Sequence, residues 1–243
     1  MTFRKVVASA ILIAVTVLFS KNSRAQSSSD MNGGFFQIGI NYTQPTSSGL
    51  SDYLVVLSDS LQFPKAFSLD KGYGITLAFI KHNNAFEFTA GGDVLWSNNY
   101  LSFGDTMSGR VSSTDINLNF GVNVLPVRWF FIGGNFSICN SAEKFKAGDQ
   151  AFSVELESQG DGFSNIFNGY SIGVKGQAGF NINVSEKGEY KTYMRLSAFY
   201  ELGLTEFDFY KTFENRMKYF SGNKKTKLAY PGITLSLQFK ASE

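Results

Sequence analysis

Apolar and polar residues alternate without a break across residues 114–124. Ile116, Leu118, Phe120, Val122 and Val124 stand against Asp115, Asn117, Asn119, Gly121 and Asn123. A period of two sends successive side chains to opposite faces of a strand, so one face is apolar and the other polar. The outside of a soluble sheet normally shows Lys, Glu and Arg, whereas this polar face is small and mostly neutral. An enclosed polar face with an apolar face turned outward is the expectation.

The same period recurs along the chain. Phe36, Ile38, Ile40 and Tyr42 form one apolar row, Tyr73, Ile75, Leu77 and Phe79 a second, and Phe86, Phe88, Ala90, Val94 and Trp96 a third. After the opening strand come Phe130, Ile132, Phe136 and Ile138, then Tyr170, Ile172, Val174, Ala178, Phe180, Ile182 and Val184. Tyr190, Thr192, Met194, Leu196, Ala198, Tyr200 and Leu202 form the seventh row, and Ile233, Leu235, Leu237 and Phe239 the eighth. Between Tyr230 and Ile233 the parity changes across Pro231-Gly232, as a β-bulge would produce. A ten-strand count would add residues 141–148 and 151–158. The first of these lacks an apolar face, so both are read as a hairpin above the membrane.

Connections sort into two kinds. Those after strands two, four and six are short, and those after one, three, five and seven run to about 17–30 residues. Short turns on one rim and long loops on the other define the expected class: an all-β, eight-stranded antiparallel transmembrane up-and-down β-barrel with long extracellular loops and both termini in the periplasm.

Aromatic placement points the same way. Tyr42, Tyr73, Trp96, Tyr170 and Tyr230 lie at the long-loop ends of strands, and Phe36, Phe79, Phe86, Phe130, Tyr190 and Phe239 near the short turns. These are the two expected girdles at the lipid headgroups. From Phe86 to Trp96 is roughly 33 Å of strand, and a tilt of about 40° leaves ~25 Å of height, the apolar band of such barrels.

Composition agrees: 17% of residues are charged and 16% aromatic, against the roughly 25% charge of soluble domains. The net charge of +2 offers no argument for nucleic acid. Arg4 and Lys5 precede an apolar run over residues 6–19 and a small-x-small site at Ser23-Arg24-Ala25. Residues 1–25 therefore read as a secretory signal peptide and 26–243 as the exported barrel. A transmembrane anchor, the alternative, would need about 20 apolar residues. Cys139 stands alone and far from the cleavage site, against both an intramolecular disulfide and a lipoprotein anchor.

The inward parities carry Glu87, Asp93, Asp115, Lys175, Lys191, Arg195 and Glu201. In a narrow lumen these form either a salt-bridged plug or an ion path, and unpaired buried charge is costly. His82, the single histidine, falls in a short turn, where it reads as a solvated residue and not as a general base. No cofactor, metal set or phosphate-cradling glycine motif is expected, and the acids of the third loop (Glu155, Glu157, Asp161) read as ordinary solvating residues, so no enzyme is expected either.

Leu50, Tyr53, Leu54, Leu57 and Leu61 in the first loop, and Phe209, Phe213, Met217 and Phe220 in the fourth, recur at helical spacing. They predict short helices over the barrel mouth or an apolar surface for a partner or surface ligand. Lys211, Arg216, Lys218, Lys224, Lys225 and Lys227 are either a solvated loop or a clamp on the phosphates of lipopolysaccharide.

Alternation, girdles and loop asymmetry from Gly34 to Phe239 resemble the small outer-membrane barrels: the OmpA transmembrane domain, OmpX, and the outer membrane protein beta-barrel domain family of Bacteroidetes, which includes PorT-like proteins. The run from Tyr230 to Phe239 looks like the terminal signal read by the barrel-assembly machinery, although Lys240 to Glu243 follow its aromatic residue. The resemblance implies a monomer of the bacterial outer membrane, acting structurally or through its loops. A small channel, a secretion-system accessory barrel, and a secreted lipocalin-like barrel with apolar residues inside are the alternatives.

Overall fold

In a computed structural model of the chain, the described residues are 32–46, 48–60, 63, 65–83, 85–103, 107–148, 164–187, 190–208 and 225–240. Each of the eight alternating rows becomes a strand. The barrel strands are β1 (Gly33–Thr43), β2 (Gly72–Asn83), β3 (Phe86–Phe103), β4 (Met107–Val127), β5 (Phe130–Gly148), β6 (Ser164–Lys187), β7 (Tyr190–Gly203) and β10 (Ala229–Lys240). A helix, α1 (Ser48–Ser60), and a two-residue ribbon, β8 (Phe207–Asp208) with β9 (Lys225–Thr226), lie in the connections. Each barrel strand pairs antiparallel with its chain neighbour, and β10 closes the ring on β1 from Phe35↔Lys240 to Thr43↔Gly232.

The apolar rows face outward. Leu77, Phe88, Ile116, Leu118, Phe120 and Leu237 are all large, apolar and exposed, while Asn117, Asn123, Ser137 and Gln238 are completely buried. This is the inverse of a soluble core and the arrangement of a transmembrane barrel. A lipocalin-like barrel requires the reverse.

Gly121 and Gly133 show how tightly the inside is filled. A Cβ on Gly121 would collide with Asn135 Oδ1 and the Gly134 carbonyl, and one on Gly133 with Asn123 Oδ1. Asparagines on the neighbouring strands occupy the space that these two positions leave.

Three expectations are corrected. Strands β3 to β6, of 18, 21, 19 and 24 residues, rise well past β1, β2, β7 and β10, of 11 to 14. Residues 141–148, expected in a separate hairpin, are the upper part of β5, paired with β4 from Ser141↔Asp115 to Gly148↔Ser108. Much of the expected loop length is therefore raised barrel wall; residues 151–158 lie outside the described residues.

The expected bulge at Pro231-Gly232 is absent. β10 holds continuous register with β7 from Ala229↔Leu202 to Phe239↔Thr192, so Tyr230 falls on the inward parity and is buried. It does not belong to the girdle. His82 is the third correction: it lies in β2, one residue before the strand's end, with an inward, buried side chain instead of sitting solvated in a turn.

Candidate functional site

The lumen is a layered column set by inward positions of all eight barrel strands. At the short-turn end, Phe35, Ala78, Ile80, Leu125, Phe131 and Tyr193 form a buried apolar cluster across the bore. The sequence signals it through doublets, Phe35-Phe36, Phe79-Ile80, Val124-Leu125 and Phe130-Phe131, in which one residue faces lipid and its neighbour the axis.

Above that seal lies a charged layer. Arg195 Nη1 donates to Glu87 Oε1 at 2.7 Å, and Asn123 Nδ2 donates to the same oxygen at 2.6 Å. The guanidinium lies 3.4 Å from the centroid of the Phe131 ring, tying the ion pair to the seal by a cation–π contact. His82 Nε2 is 3.6 Å from Glu87 Oε2, and its ring meets Phe35 edge-on at 5.0 Å. Gln177 Nε2 donates to Asn123 Oδ1 at 3.0 Å, carrying the network across the bore.

The middle layer centres on Asp93. Lys175 Nζ and Asn119 Nδ2 each donate to its Oδ2 at 2.7 Å, and Asn41 Nδ2 donates to Oδ1 at 3.3 Å. Thr234 Oγ1 donates to Asn41 Oδ1 at 2.7 Å, so this layer links the first and last barrel strands. A polar cavity of about 40 Å³, lined by Asp93, Asn119, Lys175 and Arg195 among others, separates the two charged layers. By volume it has room for about three waters.

The upper layer differs. Asp115 accepts from Ser113 Oγ at 3.2 Å and from Ser141 Oγ, and Glu201 lies near it. Both carboxylates are buried, and among the described residues neither forms a salt bridge. Across the mouth, α1 buries Leu50, Tyr53 and Leu54 and packs against β9. Ser58 fixes the helix to the following segment, donating to the Leu54 carbonyl at 2.7 Å and accepting from Phe67 N–H at 2.8 Å.

Six of the seven expected lumen charges thus lie buried inside, four of them in two close pairs. Lys191 is half-buried near the short-turn rim, opposite Glu186 in the β6–β7 register. Of the expected girdle, Tyr73, Trp96, Tyr170, Phe36, Phe79, Phe86, Tyr190 and Phe239 are exposed, Tyr42 and Phe130 are half-exposed, and Tyr42 meets Tyr73 edge-on at 5.6 Å. Trp129, not among the expected girdle residues, is 51% exposed and stacks on Phe180 at 5.8 Å, extending the short-turn girdle. Lys227 is exposed. Lys211, Arg216, Lys218 and Lys224 lie outside the described residues, as do the expected fourth-loop helix and the side chain of Lys225. Among the described residues, no three His, Cys, Asp or Glu side chains gather as a metal site would require.

Outward apolar band, closed ring and polar axis define an eight-stranded transmembrane β-barrel. No family model matches the chain, and comparison with curated proteins finds no match. Among solved structures, the chain is similar to Ail, the attachment invasion locus protein of Yersinia pestis, crystallised with the heparin analogue sucrose octasulfate. There the identity is 12%, with 84% of this chain and 99% of that chain covered and a TM-score of 0.42. Neisserial surface protein A is 12% identical over 86% of this chain and 100% of its own, with a TM-score of 0.41. The outer membrane protein OprG of Pseudomonas aeruginosa is 16% identical over 88% and 98%, with a TM-score of 0.39.

Proposed function

We propose that the protein is a monomeric, non-enzymatic outer-membrane barrel of a Gram-negative bacterium, with a lumen that does not conduct and a structural or surface-interaction role carried by its raised wall and long connections. In this reading residues 1–25 direct export, the barrel-assembly machinery inserts the chain, the termini face the periplasm, and lipids including lipopolysaccharide surround the wall. The architectural resemblance to the Bacteroidetes barrel family, PorT-like proteins included, is the ground for the finer family assignment.

The single observation that carries the reading is the lumen. An apolar cluster at one end and two hydrogen-bonded ion pairs above it occupy the bore and support this reading, and breaking a buried pair of this kind by removing one partner strongly destabilises a protein. The test has two parts. The protein from the membrane fraction, run unheated and heated on SDS gels, should shift mobility as a folded barrel does. Reconstituted in planar bilayers, it should show no stable open state, and sustained unitary currents would overturn the closed-lumen reading.

A small channel is the second reading, and the polar cavity between the charged layers is the observation that favours it. Such a channel would have to move the Phe131 and Tyr193 rings aside, so its currents should rise when those side chains are truncated.

A further inference from the structure

At the level of Trp96, which pairs with Thr114, the outer face of the raised wall changes character. Below it the outward positions of β4 carry Ile116, Leu118, Phe120 and Val122, all exposed. Above it they carry Ser112 and Arg110, with Asn98 and Tyr100 opposite on β3. On the other side of β4, the register sets Lys144 opposite Ser112 and Lys146 opposite Arg110. Among the described residues, no Asp or Glu stands at an outward position of β3, β4 or β5 above Trp96. Glu143 stands opposite the buried Ser113 and so has the other parity.

Arg110 is exposed and held in place: its Nε and Nη2 donate to Asn98 Oδ1 at 3.2 and 2.7 Å. Tyr100, its partner across the strands, is 64% exposed. The inner face of the same stretch is occupied by the chain itself, since a Cβ on Gly109 would collide with the Phe67 ring and press on Phe63. The outer face is the one that Arg110 and Tyr100 present to the surroundings.

Height selects what meets it there. At about 3.3 Å per residue and a tilt of about 40°, Ser112 and Lys144 lie ~5 Å above Trp96, and Arg110 and Lys146 ~10 Å. The polar headgroup layer is roughly 5–8 Å thick on each side of the hydrocarbon core, so the cations start inside it and reach its outer edge. An arginine fork matches a phosphate bidentately, and lysines beside it add point charge.

We propose that the outer face of the raised wall binds a phosphorylated lipid headgroup of the adjoining leaflet, its phosphate accepting from Arg110 between Lys144 and Lys146. The face continues the lipid-contacting wall without a break, so the occupant is a lipid and not a soluble anion. The inference rests on the outer-membrane reading, in which lipopolysaccharide supplies the phosphates. It assigns them to the wall, apart from the clamp expected in the fourth connection.

Fluorescence of Trp96 tests it, in a Trp129→Phe background that removes the other tryptophan. The folded barrel in non-ionic detergent is titrated with purified lipopolysaccharide, with the same lipid stripped of its phosphates, and with sodium phosphate. Lipopolysaccharide should shift the emission saturably. Arg110→Gln should weaken the apparent affinity about fivefold, and Arg110→Gln/Lys144→Gln/Lys146→Gln at least about twentyfold. The stripped lipid should bind as weakly as the native lipid does to the triple variant, and Lys191→Gln at the opposite rim should change nothing. No saturable shift, unchanged affinity in the Arg110 variants, equal binding of the stripped lipid, or an equal loss with Lys191→Gln would overturn the proposal. Equal binding of free phosphate would mark a soluble-anion site and overturn it too. Heat-modifiable mobility separates the two readings: a folded variant that binds as before removes the site and leaves the barrel standing, whereas an unvaried chain without a heat-modifiable band removes the barrel. Where the triple variant does not assemble, Arg110→Gln alone decides.

Discussion

Arg195 reaches across the lumen to Glu87, closing a 2.7 Å ion pair between β7 and β3, two strands that do not touch in the sheet. The pair braces the barrel through its interior, where sheet hydrogen bonds cannot. Removing one member leaves the other buried without its counter-charge. Arg195→Leu should therefore lower unfolding stability by about 3–5 kcal/mol, whereas the double variant Glu87→Leu/Arg195→Leu should cost clearly less. Urea unfolding in lipid vesicles, followed by tryptophan fluorescence, reads the difference.

The apolar seal gives a second expectation. Phe131 is fully buried and carries the Arg195 guanidinium on its face. Phe131→Ala removes both a large buried ring and a cation–π contact, and should cost about 3–5 kcal/mol in the same unfolding measurement. Phe130→Ala, one residue away but on the outward parity, should cost visibly less.

Depth in the lipid band can be read by charge. Leu118 is 51% exposed, on the outward face of β4 between the two girdles, and Leu118→Arg should destabilise the inserted barrel by about 2–4 kcal/mol. Ser112 lies on the same face of that strand but beyond the level of Trp96, which pairs with Thr114. Ser112→Arg should cost about 0–1 kcal/mol, as near an interface. Comparable losses at both positions would remove the proposed membrane boundary.

Packing inside the bore predicts a steric failure. Gly121→Val would drive methyl groups into Asn135 Oδ1 and the Gly134 carbonyl, and backbone cannot yield as a flexible side chain can. The variant should accumulate unassembled, seen as loss of the fast-migrating unheated band on SDS gels.

Strand number, orientation and most lumen charges were legible because they depend on local parity alone. The run from Ile116 to Asn123 needs no partner to declare its two faces. What escaped depended on register with distant strands. A bulge at Pro231-Gly232 would turn Tyr230 outward, yet pairing with β7 and β1 carries β10 through those residues unbroken. His82 resembled turn chemistry beside Asn83 and Asn84, but Glu87 and Phe35 supply it with a buried place that no spacing along β2 reveals. The pairing Asp93 with Lys175 spans 82 residues, so the acids and bases could be counted but not matched. The raised wall was missed for another reason: residues 141–148 have no apolar face because above the lipid none is required.

Apolar side chains of these strands face lipid while amides and hydroxyls fill the axis. Spin labels placed singly at Ile116, Leu118 and Phe120, and at Asn117 and Asn119, in a Cys139→Ser background reconstituted in vesicles, test it by collision with oxygen and with a water-soluble paramagnetic reagent. The first three should collide with lipid-dissolved oxygen and the other two should be shielded from acyl chains. The opposite pattern, with Leu118 in water and Asn119 in lipid, would contradict the account.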